Sequence, residues 1–139
     1  MRILLISILA LSLSACVSQD KADLKMAKGC AAGIDALLSD QGKNILEIKS
    51  KNYSSEDTEG GLHRRVTIDA IEKDGWVELD KQYSCLFMQE WSLFQIGHKA
   101  LLVQIKVDDT LYGKKDGTIL GSFDDFLRLT KAVDGAMTQ

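Results

Sequence analysis

Thiols and imidazoles are the scarcest reactive groups in this 139-residue chain, which has three cysteines and two histidines. Cys16, Cys30 and Cys85 stand far apart, and no C-x-x-C occurs. A zinc or dithiol redox site needs closely spaced ligand pairs, so no metal is expected. His63 precedes Arg64-Arg65, a cluster that would suit a small anion or simply a solvated strand end. His98 follows Gly97, where a turn or capping role is expected rather than catalysis. The run Tyr112-Gly113-Lys114-Lys115-Asp116-Gly117 could cradle an anion through backbone donors, but Asp-Gly is first of all a hairpin turn. Asp108-Asp109 with Asp116 lacks the alternating spacing and closing glutamate of a calcium loop. No G-x-S-x-G, H-E-x-x-H, phosphate-loop or dinucleotide fingerprint is present, so neither a cofactor nor an enzymatic activity is expected.

Cys16 has a context of its own. Met1-Arg2, an almost wholly apolar run from Ile3 to Leu13, and the small residues Ser14 and Ala15 have the order of a signal peptide. The run is too short to span a bilayer, which takes ~20 apolar residues as a helix. Leu13-Ser14-Ala15-Cys16 resembles, at all four positions, the lipobox of bacterial lipoproteins. That resemblance covers residues 1–16 only. It implies a diacylglyceryl thioether on Cys16, cleavage of residues 1–15, and two or three acyl chains, enough for stable anchoring where a single chain is marginal. It also implies a bacterial envelope location. Val17, rather than an aspartate, follows the cysteine, which implies sorting to the inner leaflet of the outer membrane, facing the periplasm.

Export places Cys30 and Cys85 in an oxidising compartment, where two remaining thiols are expected to pair. The bridge would close a loop of roughly 56 residues, for which chain entropy gives about 4 kcal/mol.

Elements that would position these residues follow from periodicity. After a tether at residues 16–19, Asp20 is expected to cap a helix carrying Leu24, Ala27, Ala31, Ile34 and Leu38 on its apolar face, with Cys30 on the same broad face. Four strands are expected, near Ile45–Lys49, Leu62–Ile71, Trp76–Met88 and Lys99–Val107, the middle two joined at Lys73-Asp74-Gly75. Val77, Leu79, Lys81, Tyr83, Cys85 and Phe87 share one side of the third, aimed at the helix layer. Lys51 to Gly61, polar and ending in Gly60-Gly61, is expected to be a mobile loop. Ser122 is expected to cap a second helix with Phe123, Phe126, Leu127, Thr130, Val133 and Met137 inward. The sum is one α+β domain over residues 20–139: helix, four-stranded antiparallel sheet, helix, in two layers.

The net charge of −3 at pH 7, spread without long like-charged blocks, argues against nucleic acid as a partner. With no catalytic motif, the expected role is a non-enzymatic protein-binding or assembly module on the membrane. An inhibitor or immunity lipoprotein acting on an envelope hydrolase or toxin is the second reading, and a small hydrolase the third. The short tether keeps any partner, or a second copy of the chain, near the membrane. The expected docking residues are Trp76, Leu86 and Met88 on the sheet face away from the helices, which a two-layer fold would leave uncovered. Trp91, Leu93, Phe94 and Ile96, at the third turn, read either as core or as a further interaction patch.

Overall fold

A computed structural model describes residues 16–58 and 61–139. Residues 1–15, and with them the expected signal segment and Leu13-Ser14-Ala15, lie outside the described residues.

Helix α1 spans Gln19–Ser39. Its cap is Ser18, whose hydroxyl accepts from the Lys21 amide at 3.3 Å. Asp20, the expected cap, sits inside the first turn, where its charge complements the helix dipole. The buried line runs through Ala22, Met26, Cys30, Ile34 and Leu37, and Leu24 is exposed. An alanine-rich helix has a broad apolar face, and packing rotated it past the position periodicity suggested.

Six antiparallel strands follow in simple meander order: β1 Lys43–Thr58, β2 Gly61–Asp74, β3 Val77–Trp91, β4 His98–Val107, β5 Thr110–Lys115 and β6 Thr118–Leu120. A single 3-10 turn, Leu93–Gln95, lies between β3 and β4, and helix α2, Phe123–Met137, closes the chain. The α+β class stands as expected, but the described residues form six strands rather than four. The expected Lys51 to Gly61 loop is, over residues 51–58, a continuation of β1, which pairs with β2 from Lys43 opposite Asp74 to Thr58 opposite Gly61. An edge strand with polar residues on both sides lacks the apolar alternation that marks a strand, and its charges guard the edge. Both additional strands come from the Tyr112–Gly117 run, a hairpin of β5 and β6 whose turn is Asp116 and Gly117, both at positive φ. Gly113 lets β5 approach β4 closely, since a Cβ there would lie 2.2 Å from the Val103 carbonyl oxygen.

Both helices cover one face, where Val66, Ile68 and Ala70 of β2 meet Tyr83, Cys85 and Phe87 of β3. The expected inward side of β3 is thus buried in its second half, whereas Val77 and Leu79 run beyond the helices and are exposed. The Cys30–Cys85 disulfide ties α1 to β3 across this layer, with Cα atoms 5.8 Å apart. Helix α2 is capped by Ser122, whose hydroxyl accepts from the Asp125 amide at 3.0 Å. Phe126, Leu129 and Val133 form its buried line; Phe123 and Leu127 point outward.

The helices meet closely because α1 is notched. A Cβ on Gly33 would fall 2.6 Å from Ile105 Cδ1 and 2.8 Å from Val133 Cγ2, both from buried residues with little room to yield. Gly33→Ala is therefore expected to cost about 1–2 kcal/mol, overpacking outweighing the ~1 kcal/mol of helix propensity gained. Gly135→Ala in α2 meets nothing within 4 Å. It should raise stability by up to about 1 kcal/mol. Urea midpoints of the two variants should move in opposite directions.

The opposite sheet face needs no cover. Thr67 and Asp69 of β2, Gln82 and Ser84 of β3 and Lys106 of β4 alternate with the core residues and give that face a polar surface.

Candidate functional site

The chemistry-bearing residues collect at one end of the sheet, where α1 begins. Cys16 is exposed and is the free cysteine among the described residues. Val17 alone separates it from the cap Ser18, so the expected tether of residues 16–19 is shorter still, with Gln19 already helical. Cys16 Sγ lies 3.9 Å from the Phe94 carbonyl oxygen in the β3–β4 loop.

A polar staple fixes the first turns of α1 to the sheet. Arg64 of β2 donates through Nε and Nη2 to both oxygens of Asp23, at 2.9 and 2.6 Å, and through Nη1 to the Ser55 hydroxyl at 2.8 Å. Asp23 is buried, and a two-point guanidinium pair is the geometry that compensates a buried carboxylate best. The Asp23 carboxylate in turn holds the Arg64 guanidinium more firmly protonated than usual. Gln19 Nε2 donates to Asp23 at 2.8 Å and to Gln89 Oε1 of β3 at 3.2 Å. The same Gln89 oxygen faces His98 Nε2 at 2.9 Å, which assigns the proton of the neutral ring to Nε2. Burial, and then the Lys25 ammonium, push the His98 pKa down. Its ring packs against Trp91, centroids 4.5 Å apart. His98 opens β4, at the loop-to-strand junction that its position after a glycine suggested.

His63, Arg64 and Arg65 do not form an anion site. Strand alternation sends Arg64 to Asp23 on the helix side and Arg65 to the Glu56 carboxylate on the other. Arg65 holds that carboxyl below the usual range. His63 is buried, with Nδ1 3.0 Å from the Gly61 carbonyl oxygen. The lysines of the β5–β6 hairpin are exposed, and Lys114 reaches the Phe126 ring at 5.7 Å. Asp108 accepts from Lys81 at 2.8 Å.

Leu86 and Met88 share the outer face of β3, as expected, but Trp76 does not lie with them. Trp76 stands wholly exposed at the β2–β3 turn, at the far end of the sheet from Cys16, beside exposed Val77. Leu86 is only 6% exposed, in a shallow depression rimmed by the β5–β6 hairpin, and Met88 is half-buried. The outer face is thus polar at its centre rather than an apolar surface awaiting a partner. Trp91 is half-buried, whereas Leu93, Phe94 and Ile96 are exposed. The cluster expected as core or patch divides between the two.

The staple escaped the sequence reading because its partners lie far apart: Asp23 and Arg64 are separated by 41 residues, Gln19 and Gln89 by 70. Among the described residues no group of three or more His, Cys, Asp or Glu side chains could hold a metal ion. No helix among them is long and apolar enough to cross a membrane. Comparison with protein-family models, with curated proteins and with solved structures finds no match to this chain.

Proposed function

We propose that this chain is a bacterial envelope lipoprotein, anchored through acyl chains on Cys16 in the outer membrane, that binds a protein partner near the membrane and catalyses no reaction. The observation that carries the reading is the placement of Cys16. It is exposed and only Val17 separates it from the cap of a helix stapled to the sheet, so acyl chains on its sulfur would enter a bilayer without disturbing the fold. Val17 alone as tether holds the domain against the headgroups. The reach of the domain is then set by the sheet itself, about 45 Å along β3. Trp76 and Val77, exposed at the end away from Cys16, are the apolar side chains best placed for a protein partner.

Intact mass of the protein purified from bacterial membranes tests the anchor. A mature form starting at Cys16 and carrying two or three acyl chains is expected, and Cys16→Ser should leave the chain unprocessed. A mature form that starts elsewhere or lacks acyl mass removes the basis of the proposal. For the partner, a photo-crosslinker in place of Trp76 should yield one protein adduct that disappears with Val77→Asp.

A further inference from the structure

We infer that the β3–β4 loop is a second, non-covalent membrane contact, in which Leu93, Phe94 and Ile96 insert into the bilayer that receives the acyl chains of Cys16. The inference rests on the lipidation reading above and adds a built surface to it.

Residues 91–97, Trp-Ser-Leu-Phe-Gln-Ile-Gly, carry no charged side chain, so insertion desolvates no ion. Leu93 is 83% exposed, Phe94 86% and Ile96 59%. The loop is constructed to hold them out. Ser92 and Gly97 close its base: the Ser92 amide donates to the Gly97 carbonyl at 3.0 Å, and the Gly97 amide to the Ser92 hydroxyl at 2.6 Å. A Cβ on Gly97 would sit 2.9 Å from that hydroxyl, which keeps the closure tight only with glycine. Phe94, at the apex, has φ 61 and ψ 21, a left-handed conformation that L side chains disfavour. A bulky ring held in a strained conformation and turned into water does nothing for the folded domain. Strain of that kind points to an occupant outside it.

The position of Cys16 identifies the occupant. Its sulfur lies 3.9 Å from the Phe94 carbonyl oxygen, the Gln19, Asp23, Arg64 and Gln89 staple fixes α1 to β2 and to β3, which leads into the loop, and Lys25 Nζ of α1 donates at 3.2 Å to the carbonyl of His98, the first residue of β4. Acyl chains leaving Cys16 therefore enter the bilayer beside the exposed ring. A protein docking on Phe94 would have to displace those lipids, whereas the bilayer accepts chains and ring together. Burial of one large apolar side chain is worth roughly tenfold in partitioning. The loop thereby fixes the orientation of the domain on the membrane, which a flexible thioether alone does not.

The test places one indole in the loop. Mature protein carrying Trp76→Phe, Trp91→Phe and Phe94→Trp is reconstituted from detergent into phosphatidylcholine vesicles with bromines on the acyl chains, and acylation is read by intact mass on the same sample. The loop indole should emit at shorter wavelength than in detergent-free buffer and be strongly quenched. The indole of Trp76, in a Trp91→Phe chain and at the other end of β3, should show neither effect. An acylated protein whose loop indole is unquenched overturns the loop contact and leaves the anchor intact. A protein without acyl mass overturns both. A third measurement concerns the fold: Phe94→Gly, which relieves the left-handed strain, should leave Tm unchanged or higher. A fall in Tm of the size of a core deletion would show that the ring is packed within the domain and would end the proposal.

Discussion

Cys30→Ala with Cys85→Ala is expected to lower the unfolding free energy by about 4 kcal/mol, close to a third or more of the 5–15 kcal/mol typical of a domain. The bridge spans a sequence separation of 55 and joins the middle of α1 to the middle of β3, two elements with few other reasons to find one another early. In the unfolded chain it removes the conformations in which helix and strand lie far apart. In the folded chain both cysteines are fully buried in the helix-to-sheet layer, so their sulfurs also fill space that alanine leaves empty. For a domain of this size the loss corresponds to a fall in Tm of about 15 °C. The measurement is a pair of denaturant titrations, with and without reductant. Reductant should shift the midpoint of the parent protein downward and leave the double variant where it is. A parent protein indifferent to reductant, with both thiols open to alkylation in the native state, would show that the bridge contributes nothing.

Much of the architecture was legible in the sequence wherever apolar residues alternate or recur. Both helices, the Asp74-Gly75 hairpin, the inward side of β3 around Tyr83, Cys85 and Phe87, and the Cys30–Cys85 pair all follow from period and compartment. What was not legible depends on pairing rather than on local pattern. Residues 51–58 are polar on both sides and become strand only because β2 runs beside them. The staple at the start of α1 joins residues that no short-range pattern connects. Two features were open to a closer reading. Thr67, Asp69, Gln82 and Ser84 alternate with the core residues, which already makes the outer face polar. Glu72 continues the buried parity of Val66, Ile68 and Ala70, a carboxylate where the pattern calls for an apolar side chain.

Glu72 sets the second large effect. It is completely buried on the helix side of β2, accepts a hydrogen bond from the Tyr83 hydroxyl at 2.5 Å, and has the Lys43 ammonium at 3.5 Å, too long for a hydrogen bond but close enough to offset its charge. Its other oxygen, Oε1, has no hydrogen-bond donor among the described residues. Among the described residues the Tyr83 hydroxyl is therefore the one direct donor to a desolvated carboxylate, and Tyr83→Phe should cost about 3 kcal/mol because it strands that group. Adding Glu72→Met to Tyr83→Phe should recover most of the loss, since two apolar groups of similar shape leave nothing unpaired and the partly exposed Lys43 can turn to solvent. A double variant as unstable as the single one would mean that the ring's packing, rather than the pair, sustains this region. Alkali gives an independent reading. Burial, then the hydrogen bond to Glu72, raise the Tyr83 pKa above its ordinary 10.0. Above pH 10 the unfolded chain releases this proton while the folded chain keeps it, so the folded state binds more protons and its stability falls as pH rises. Tyr83→Phe removes that term. The variant should be the less stable protein at neutral pH and should lose less further stability than the parent as the pH is taken above 10, and parallel alkaline slopes would place the phenol outside the buried pair.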